Sequence, residues 1–297
     1  MKTIGVRHAG ETTFDGDPDA VYEIGSLTKP FTARLLALLV DEGLVTLDEP
    51  VVDGRAFTFR QLAEHRSGLP RLPKKTGRWN RRDPYAEFTD EVMPSVIAAT
   101  TPKHEPGTEM VYSNFGYGLL GYALAQRAST SYAELVRAHI TQPLEMTQTA
   151  LDTPGLVQGR DFFGRATPPW HLAALAGAGG LRSTASDMLR FLAAEAERPS
   201  LAWRKAPGKH QMWMHDGGTG GFRSFAVIKA DTQVIVLHAK ARRVNGDAFK
   251  ALRAAEAQRS TTAVTSGHVR GSQRIERRAS ASAMTVQAAS TSSGSAA

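Results

Sequence analysis

Three short stretches of this chain carry residue types that could act together as nucleophile, base and oxyanion site. The first is Ser26-Leu27-Thr28-Lys29, at the head of an almost unbroken apolar segment, Phe31–Val40, closed by Asp41-Glu42-Gly43. Leu35, Leu36, Ala37, Leu38, Leu39 and Val40 leave no polar face, which predicts a helix buried on all sides, with Gly43 as its C-terminal cap. Ser26 is then the N-cap or first residue of that helix, and Lys29, three residues on, shares its face. Free backbone N–H groups and the positive dipole end at a helix start favour a developing oxyanion. Burial pushes a lysine toward its neutral form, which makes Lys29 a proton acceptor for the Ser26 hydroxyl. Taken alone, Ser-x-x-Lys is common, and the pair reads more readily as a capping serine followed by a solvated lysine.

The second stretch is Tyr112-Ser113-Asn114. Residues two apart in an extended loop project from the same side, so Tyr112 and Asn114 can face one site. Beside a cationic Lys29 the Tyr112 phenolate would be favoured, letting Tyr112 relay a proton to a leaving group. Asn114 can bond both Lys29 and a substrate amide, while a core tyrosine is the plainer alternative for Tyr112. The third stretch, His215-Asp216-Gly217-Gly218-Thr219-Gly220-Gly221, precedes an alternating segment, and its glycines permit close backbone approach to a ligand. A flexible linker is the plainer alternative. A nucleotide-binding loop is not, because the required strand before and helix after are missing from the pattern.

The elements that would position these residues follow from periodicity and turn chemistry. Lys2–Val6 and Val21–Ile24 read as short strands separated by an Asp15-Gly16-Asp17-Pro18 turn. Asp48–Asp53 and Phe57–Phe59 read as extended, Thr58 as the cap of a helical turn over Gln61–His65, and residues 71–90 as an exposed rim loop. Helices are predicted at Glu91–Thr100, Asn114–Arg127, Ser131–Ile140, Ser183–Glu197 and Asp247–Ala257, with capping-box-like spacing of Thr184 and Asp187 in the fourth. Phe222–Ile228 and Gln233–His238 alternate and form an antiparallel hairpin through Lys229–Thr232. The result is an α+β chain: an antiparallel sheet flanked by helices in three layers, interrupted by an all-helical insert. Residues 1–48 and 166–257 make the sheet domain, 49–165 the helical domain, and 258–297 a disordered low-complexity tail.

Composition narrows the partners. Hydrophobic residues make up 41% of the 297, enough for a packed core, and there is no cysteine for a disulfide or thiolate site. The formal charge is +7, but from Ala241 onward nine Lys/Arg face three Asp/Glu, so six of those charges sit at the C-terminal end. The body is close to neutral, which speaks against nucleic acid as partner. No apolar run reaches membrane-span length, and Met1–Phe14 lacks a signal-peptide core, so the sequence as it stands predicts a cytoplasmic location unless a start upstream adds a leader. His8, His65, His104, His139, His171 and His238 show no metal-ligand spacing, and no cofactor is implied. Trp170, Trp203 and Trp213 read as packing residues, with Trp213 near the site strand, and Arg78–Arg82 as a solvated loop. The expected partner is a small-molecule or peptide substrate, and the oligomeric state is open.

Together the three stretches resemble the serine β-lactamase and penicillin-binding superfamily, most closely its class C branch. That branch holds class C β-lactamases, D-alanyl-D-alanine carboxypeptidases, D-amino-acid amidases and family VIII esterases. The resemblance extends to "YEIGSLTKPFTARLLALLVDEGLVTLDEPV", "HRSGLP", "PGTEMVYSNFGYGLLGYAL", "QPLEMTQTAL" and "AGAGGLRSTASDMLRFL", in the family's order over roughly residues 20–240. It implies the β-lactamase/transpeptidase-like fold with the site in the crevice between sheet and helical parts. It implies an acyl-enzyme mechanism on an ester, amide or β-lactam bond, with Ser26 as nucleophile, Lys29 and Tyr112 in proton transfer, and Asn114, His215, Gly217 and Gly218 binding substrate. The Gly218 N–H would join that of Ser26 as oxyanion hole, and His215 stands where many relatives have a lysine. A histidine titrates near ~6.5, and Asp216 points to the opposite strand face, so His215 is expected to be mostly neutral at pH 7. Carboxylate substrates should then bind weakly and uncharged esters or amides be tolerated. Esterase or amidase activity is therefore expected well above β-lactamase activity, and D-alanyl-D-alanine peptidase-like activity is likewise expected above efficient β-lactamase activity. The chain departs from the family in opening at what reads as the second strand, in a short 192–214 connection and in its tail. These departures keep a non-catalytic or vestigial acyl-peptide-binding module as the alternative, and predict an incompletely covered sheet face that lowers stability or invites association.

Overall fold

The computed structural model describes residues 1–52, 54–73, 82–207 and 211–257. The chain divides into two compact units, Met1–Leu252 and Arg253–Ala297, the second described only over 253–257, where it is helical. The tail expected beyond 258 and the segment 78–81 of the expected arginine-rich loop lie outside the described residues.

Strands β1 (Lys2–His8), β2 (Glu11–Asp15), β5 (Arg204–Lys205), β6 (Met212–Gly218), β7 (Arg223–Lys229) and β8 (Thr232–His238) form one antiparallel sheet in the order β2-β1-β8-β7-β6-β5. A separate two-residue ladder joins β3 (Tyr22–Glu23) to β4 (Arg182–Ser183). The β7–β8 hairpin turns tightly through Ala230-Asp231, since Lys229 and Thr232 already pair with each other. β2 was not visible in the pattern: Glu-Thr-Thr-Phe-Asp is exposed throughout and has no buried face to impose alternation. The His215–Gly218 stretch precedes β7 and is itself the second half of a strand, β6.

Val234, Ile235, Val236 and Leu237 are all fully buried because both faces of β8 are covered. One face, with Ala226, Ile228, Ile235 and Leu237, shares a core with α1 (Thr28–Asp41), α4 (Asn114–Arg127) and α6 (Ala185–Glu197). On the other face Phe225, Val227, Val234 and Val236 are covered by Val244, Ala248 and Leu252 from or beside α7 (residues 245–257). The expected uncovered face is thus partly closed by α7, with Ile4, Val6, Met212 and Met214 half-buried at its margin. Between α1 and α4 the chain adds α2 (Phe59–Ala63), capped by Thr58 and Gln61 in a complete capping box, and α3 (Met93–Ala99). After α4, α5 (Tyr132–Val136) runs into a π turn, Arg137–Thr141. The molecule is α+β, as the pattern of elements predicts.

α1 ends as its sequence requires. The Leu44 N–H reaches the Leu39 carbonyl at 2.9 Å and the Gly43 N–H the Val40 carbonyl at 3.0 Å, a Schellman closure with Gly43 at a φ of +74°. Its start is different from the simple N-cap expected. Ser26 sits inside a single 3₁₀ turn, Gly25–Leu27, that feeds α1, and no side chain caps that helix. The Ser26 hydroxyl is therefore free to face elsewhere.

Candidate active site

The Gly25–Leu27 turn is fixed from three sides. Ile24 N–H bonds the Leu181 carbonyl at 3.1 Å, Leu181 N–H bonds Thr28 Oγ1 at 3.2 Å, and Ser224 Oγ donates to the Ile24 carbonyl at 2.7 Å. β6 runs directly alongside. A Cβ added at Gly25 would stand 2.5 Å from the Gly218 nitrogen, so the Gly218 N–H lies beside the serine turn. β5 pairs with β6 only at Trp213 and Met214. Among the described residues, 215–218 consequently have no strand on that side, and their edge forms a wall of the cleft.

Lys29 is fully buried, and its Nζ reaches three oxygens: Ser26 Oγ at 3.1 Å, Asn114 Oδ1 at 2.9 Å and the Ala178 carbonyl at 2.6 Å. Burial, aided by the charge of Arg71, holds its pKa well below the usual lysine value. Tyr112 Oη donates to Ser26 Oγ at 2.9 Å. Its phenol is pushed up to about 12, chiefly by burial, so it is protonated at neutral pH. The expectation of a favoured phenolate is thus reversed, because desolvation outweighs the neighbouring positive charge. Asn114, at the first position of α4, also donates through Nδ2 to Tyr85 Oη at 3.0 Å.

Ser26, Arg71, Tyr112, Trp170, Arg204, Asp216, Gly217, Gly218, Thr219 and Arg223 line one cleft of 380 Å³. His215 lies beneath this wall rather than in it: it is 3% exposed, its Nδ1 faces the Asp216 carbonyl at 2.8 Å, and Trp203 packs edge-on at 6.3 Å. Burial and the charge of Lys29 push its pKa down to about 3, so the imidazole is neutral, as expected, for a stronger reason than sequence position. Asp216 instead faces the cleft and pairs with Arg204. Arg223 donates to the carbonyls of Thr219 and Phe222, each at 2.7 Å, and Arg71 lies 5.1 Å from the Tyr112 ring. Three arginines against one aspartate leave the cleft cationic. Sequence spacing could not single them out, because they come from three distant segments of a chain rich in arginine. Trp170, expected to be a packing residue, lines the cleft, whereas Trp213 does not. A cavity of 510 Å³ between β1, β2 and α6 shares no residue with this site.

A family model described as β-lactamase matches residues 3–259. The D-alanyl-D-alanine-carboxypeptidase/endopeptidase AmpH of Escherichia coli K12 is 33% identical over 189 residues, covering 59% of this chain and 48% of AmpH. Protein flp of Staphylococcus aureus MW2 is 27% identical over 160 residues, covering 50% of this chain and 31% of flp. The chain therefore spans about half or less of the length of these relatives. Among solved structures, a β-lactamase/D-alanine carboxypeptidase from Yersinia pestis in complex with citrate superposes with a TM-score of 0.71 at 23% identity, over 80% of this chain and 87% of the other. A β-lactamase from Sulfitobacter sp. EE-36 does so with 0.71 at 22% identity, over 88% and 92%. At these identities the structures establish a shared fold.

Proposed function

We propose, from the fact that this chain belongs to the β-lactamase family, that it is a serine hydrolase forming an acyl-enzyme at Ser26, with carboxylate-bearing amides such as acyl-D-alanine peptides as its preferred substrates. The observation that carries the first part is that Ser26 Oγ is held at 3.1 Å by Lys29 Nζ and at 2.9 Å by Tyr112 Oη. A neutral Lys29 amine has two N–H groups and one lone pair. Asn114 Oδ1 and the Ala178 carbonyl can only accept, so they take both N–H groups and leave the lone pair directed at Ser26. The Ser26 proton then passes to Lys29 as Oγ attacks the substrate carbonyl, and the Tyr112 hydroxyl stabilises the developing alkoxide. The protonated Lys29 and Tyr112 return that proton to the leaving nitrogen. The Gly218 and Ser26 backbone N–H groups receive the oxyanion in this reading, which the nearness of the Gly218 nitrogen to the serine turn supports.

The carboxylate preference rests on Arg71, Arg204 and Arg223 at the cleft. A neutral His215 does not leave the site without a cation, because guanidinium groups supply it from neighbouring elements. On this reading the expected weak binding of carboxylate substrates gives way to a preference for them, at the peptidase end of the expected range. The test compares an N-acyl dipeptide ending in D-alanine with its methyl ester, with intact-protein mass spectrometry for the adduct. Turnover should favour the free carboxylate, Arg204→Ala should lessen that preference, and Ser26→Ala should form no adduct. An adduct on the Ala variant overturns the nucleophile, and an equal rate on the methyl ester overturns the substrate class.

A further inference from the structure

The geometry points to His65 as a positioning residue that clamps Tyr112 from both sides along the chain. The inference rests on the acyl-transfer role of Tyr112 given above. His65 ends the turn after α2, in the "HRSGLP" stretch, and is half-buried behind the cleft. Its backbone carbonyl accepts the N–H of Val111, the residue before Tyr112, at 2.8 Å. Its ring Nδ1 accepts the N–H of Ser113, the residue after, at 3.1 Å. One residue therefore satisfies the amides on both flanks of the tyrosine. The ring also touches the phenol it positions, with centroids 4.5 Å apart, and packs on Tyr117 at 4.8 Å on its other side. Tyr117 is itself pinned by a 2.7 Å bond to the Ala63 carbonyl, so the stack is anchored to α2.

Two features fit this role and not general packing. His65 holds a φ of +59°, a conformation unfavourable for most side chains, and in it the carbonyl and Nδ1 both face the 111–113 segment. An Nδ1 that accepts an amide must be unprotonated. Burial and the charge of Lys29 hold the imidazole pKa down at about 3, so the accepting form persists at any working pH. A protonated His65 would also add charge beside Lys29, whose Nζ lies 4.9 Å from the Tyr112 ring centroid and 5.6 Å from that of Tyr117.

The test separates the acceptor from the backbone. His65→Gly tolerates the positive φ but removes the acceptor, whereas His65→Asn tolerates that φ and returns an oxygen where Nδ1 was. Acylation by a reporter β-lactam should slow by about ten- to a hundredfold in His65→Gly, with the loss in the rate constant and not in KM. His65→Asn should stay within about threefold of wild type. Independently of turnover, the ¹³Cζ titration of Tyr112 should fall from about 12 toward the ordinary tyrosine value in His65→Gly, and not in His65→Asn. The charged and titratable groups facing that phenol are Lys29, Arg71, Arg204, Asp216, Tyr117 and His65, and both variants leave the other five in place. A folded His65→Gly that acylates at the wild-type rate with an unmoved Tyr112 overturns the inference. If His65→Gly does not fold, a folded His65→Asn slowed tenfold overturns it just as well. A wild type that never acylates, with the titration shift still present, sinks the hydrolase reading and leaves the clamp standing.

Discussion

Gly217→Ala tests the claim that β6 and the serine turn must touch for the site to work. A Cβ at Gly217 would fall on the Ile24 carbonyl oxygen and Ser224 Oγ, and lie 3.1 Å from the Leu27 nitrogen. All three belong to the contacts that hold the turn: two are backbone atoms and the third, Ser224 Oγ, is bonded to the Ile24 carbonyl, so no flexible side-chain end can yield. Restoring an ordinary contact requires the strand and turn to part by roughly 1 Å. Overpacking of this kind costs about 1–3 kcal/mol, and each kcal/mol is about 2–4 °C of Tm for a unit of this size. The same displacement moves the Gly218 N–H away from Ser26, and a misplacement of about 1 Å costs on the order of a hundredfold in rate. Acylation should therefore fall far more than stability does. The assay is time-resolved intact mass with a reporter β-lactam, beside a melting curve, with Gly246→Ala as control, since a Cβ there meets nothing within 4 Å. A Gly217→Ala protein that acylates within threefold of Gly246→Ala would refute the packing argument.

Tyr112→Phe keeps the ring against His65, Arg71 and Lys29 and removes only the hydroxyl bonded to Ser26. Stability should change by no more than about 1 kcal/mol, while acylation falls by about 10²–10⁴-fold; calorimetry and stopped-flow labelling separate the two. Acid should destabilise the fold through His65 and His215, both held at about 3 in the native state. The unfolded chain binds a proton at each near ~6.5, so stability is highest above that pH and is lost as pH falls toward 3, by about 1.4 kcal/mol per pH unit per histidine. Urea midpoints between pH 7 and 4 should show that slope, and should flatten in His65→Asn; a midpoint level across this range would contradict the burial of the two rings.

The helix from Thr28 to Asp41 was legible because its composition leaves no polar face, and α4 because Asn114–Arg127 has a cap, a periodic body and an end. The chemistry of Ser26, Lys29, Tyr112 and Asn114 was legible from type and spacing, and the structure brings all four within hydrogen-bond reach of one another in sequence along a single chain of contacts. What was not legible depends on tertiary burial. The protonation of Tyr112 is set by desolvation that no local pattern encodes. The facing of Asp216 rather than His215 into the cleft depends on which face of β6 the tertiary fold turns toward it, since neighbours on a strand point to opposite faces. β2 escaped because an exposed edge strand needs no alternation, and His65 because an acceptor for two amides 46 and 48 residues away in the chain leaves no mark on its own neighbourhood.

The three oxygens that hold Lys29 come from separations of 3, 85 and 149 residues. Loop closures of that length are entropically unfavourable until most of the fold exists. No fragment ending before Ala178 can therefore present a lysine in this state, and no partly folded ensemble can hold its charge suppressed. Covalent labelling of Ser26 would then count natively folded molecules one by one, which makes the site a built-in gauge of how much of a preparation has reached its final structure.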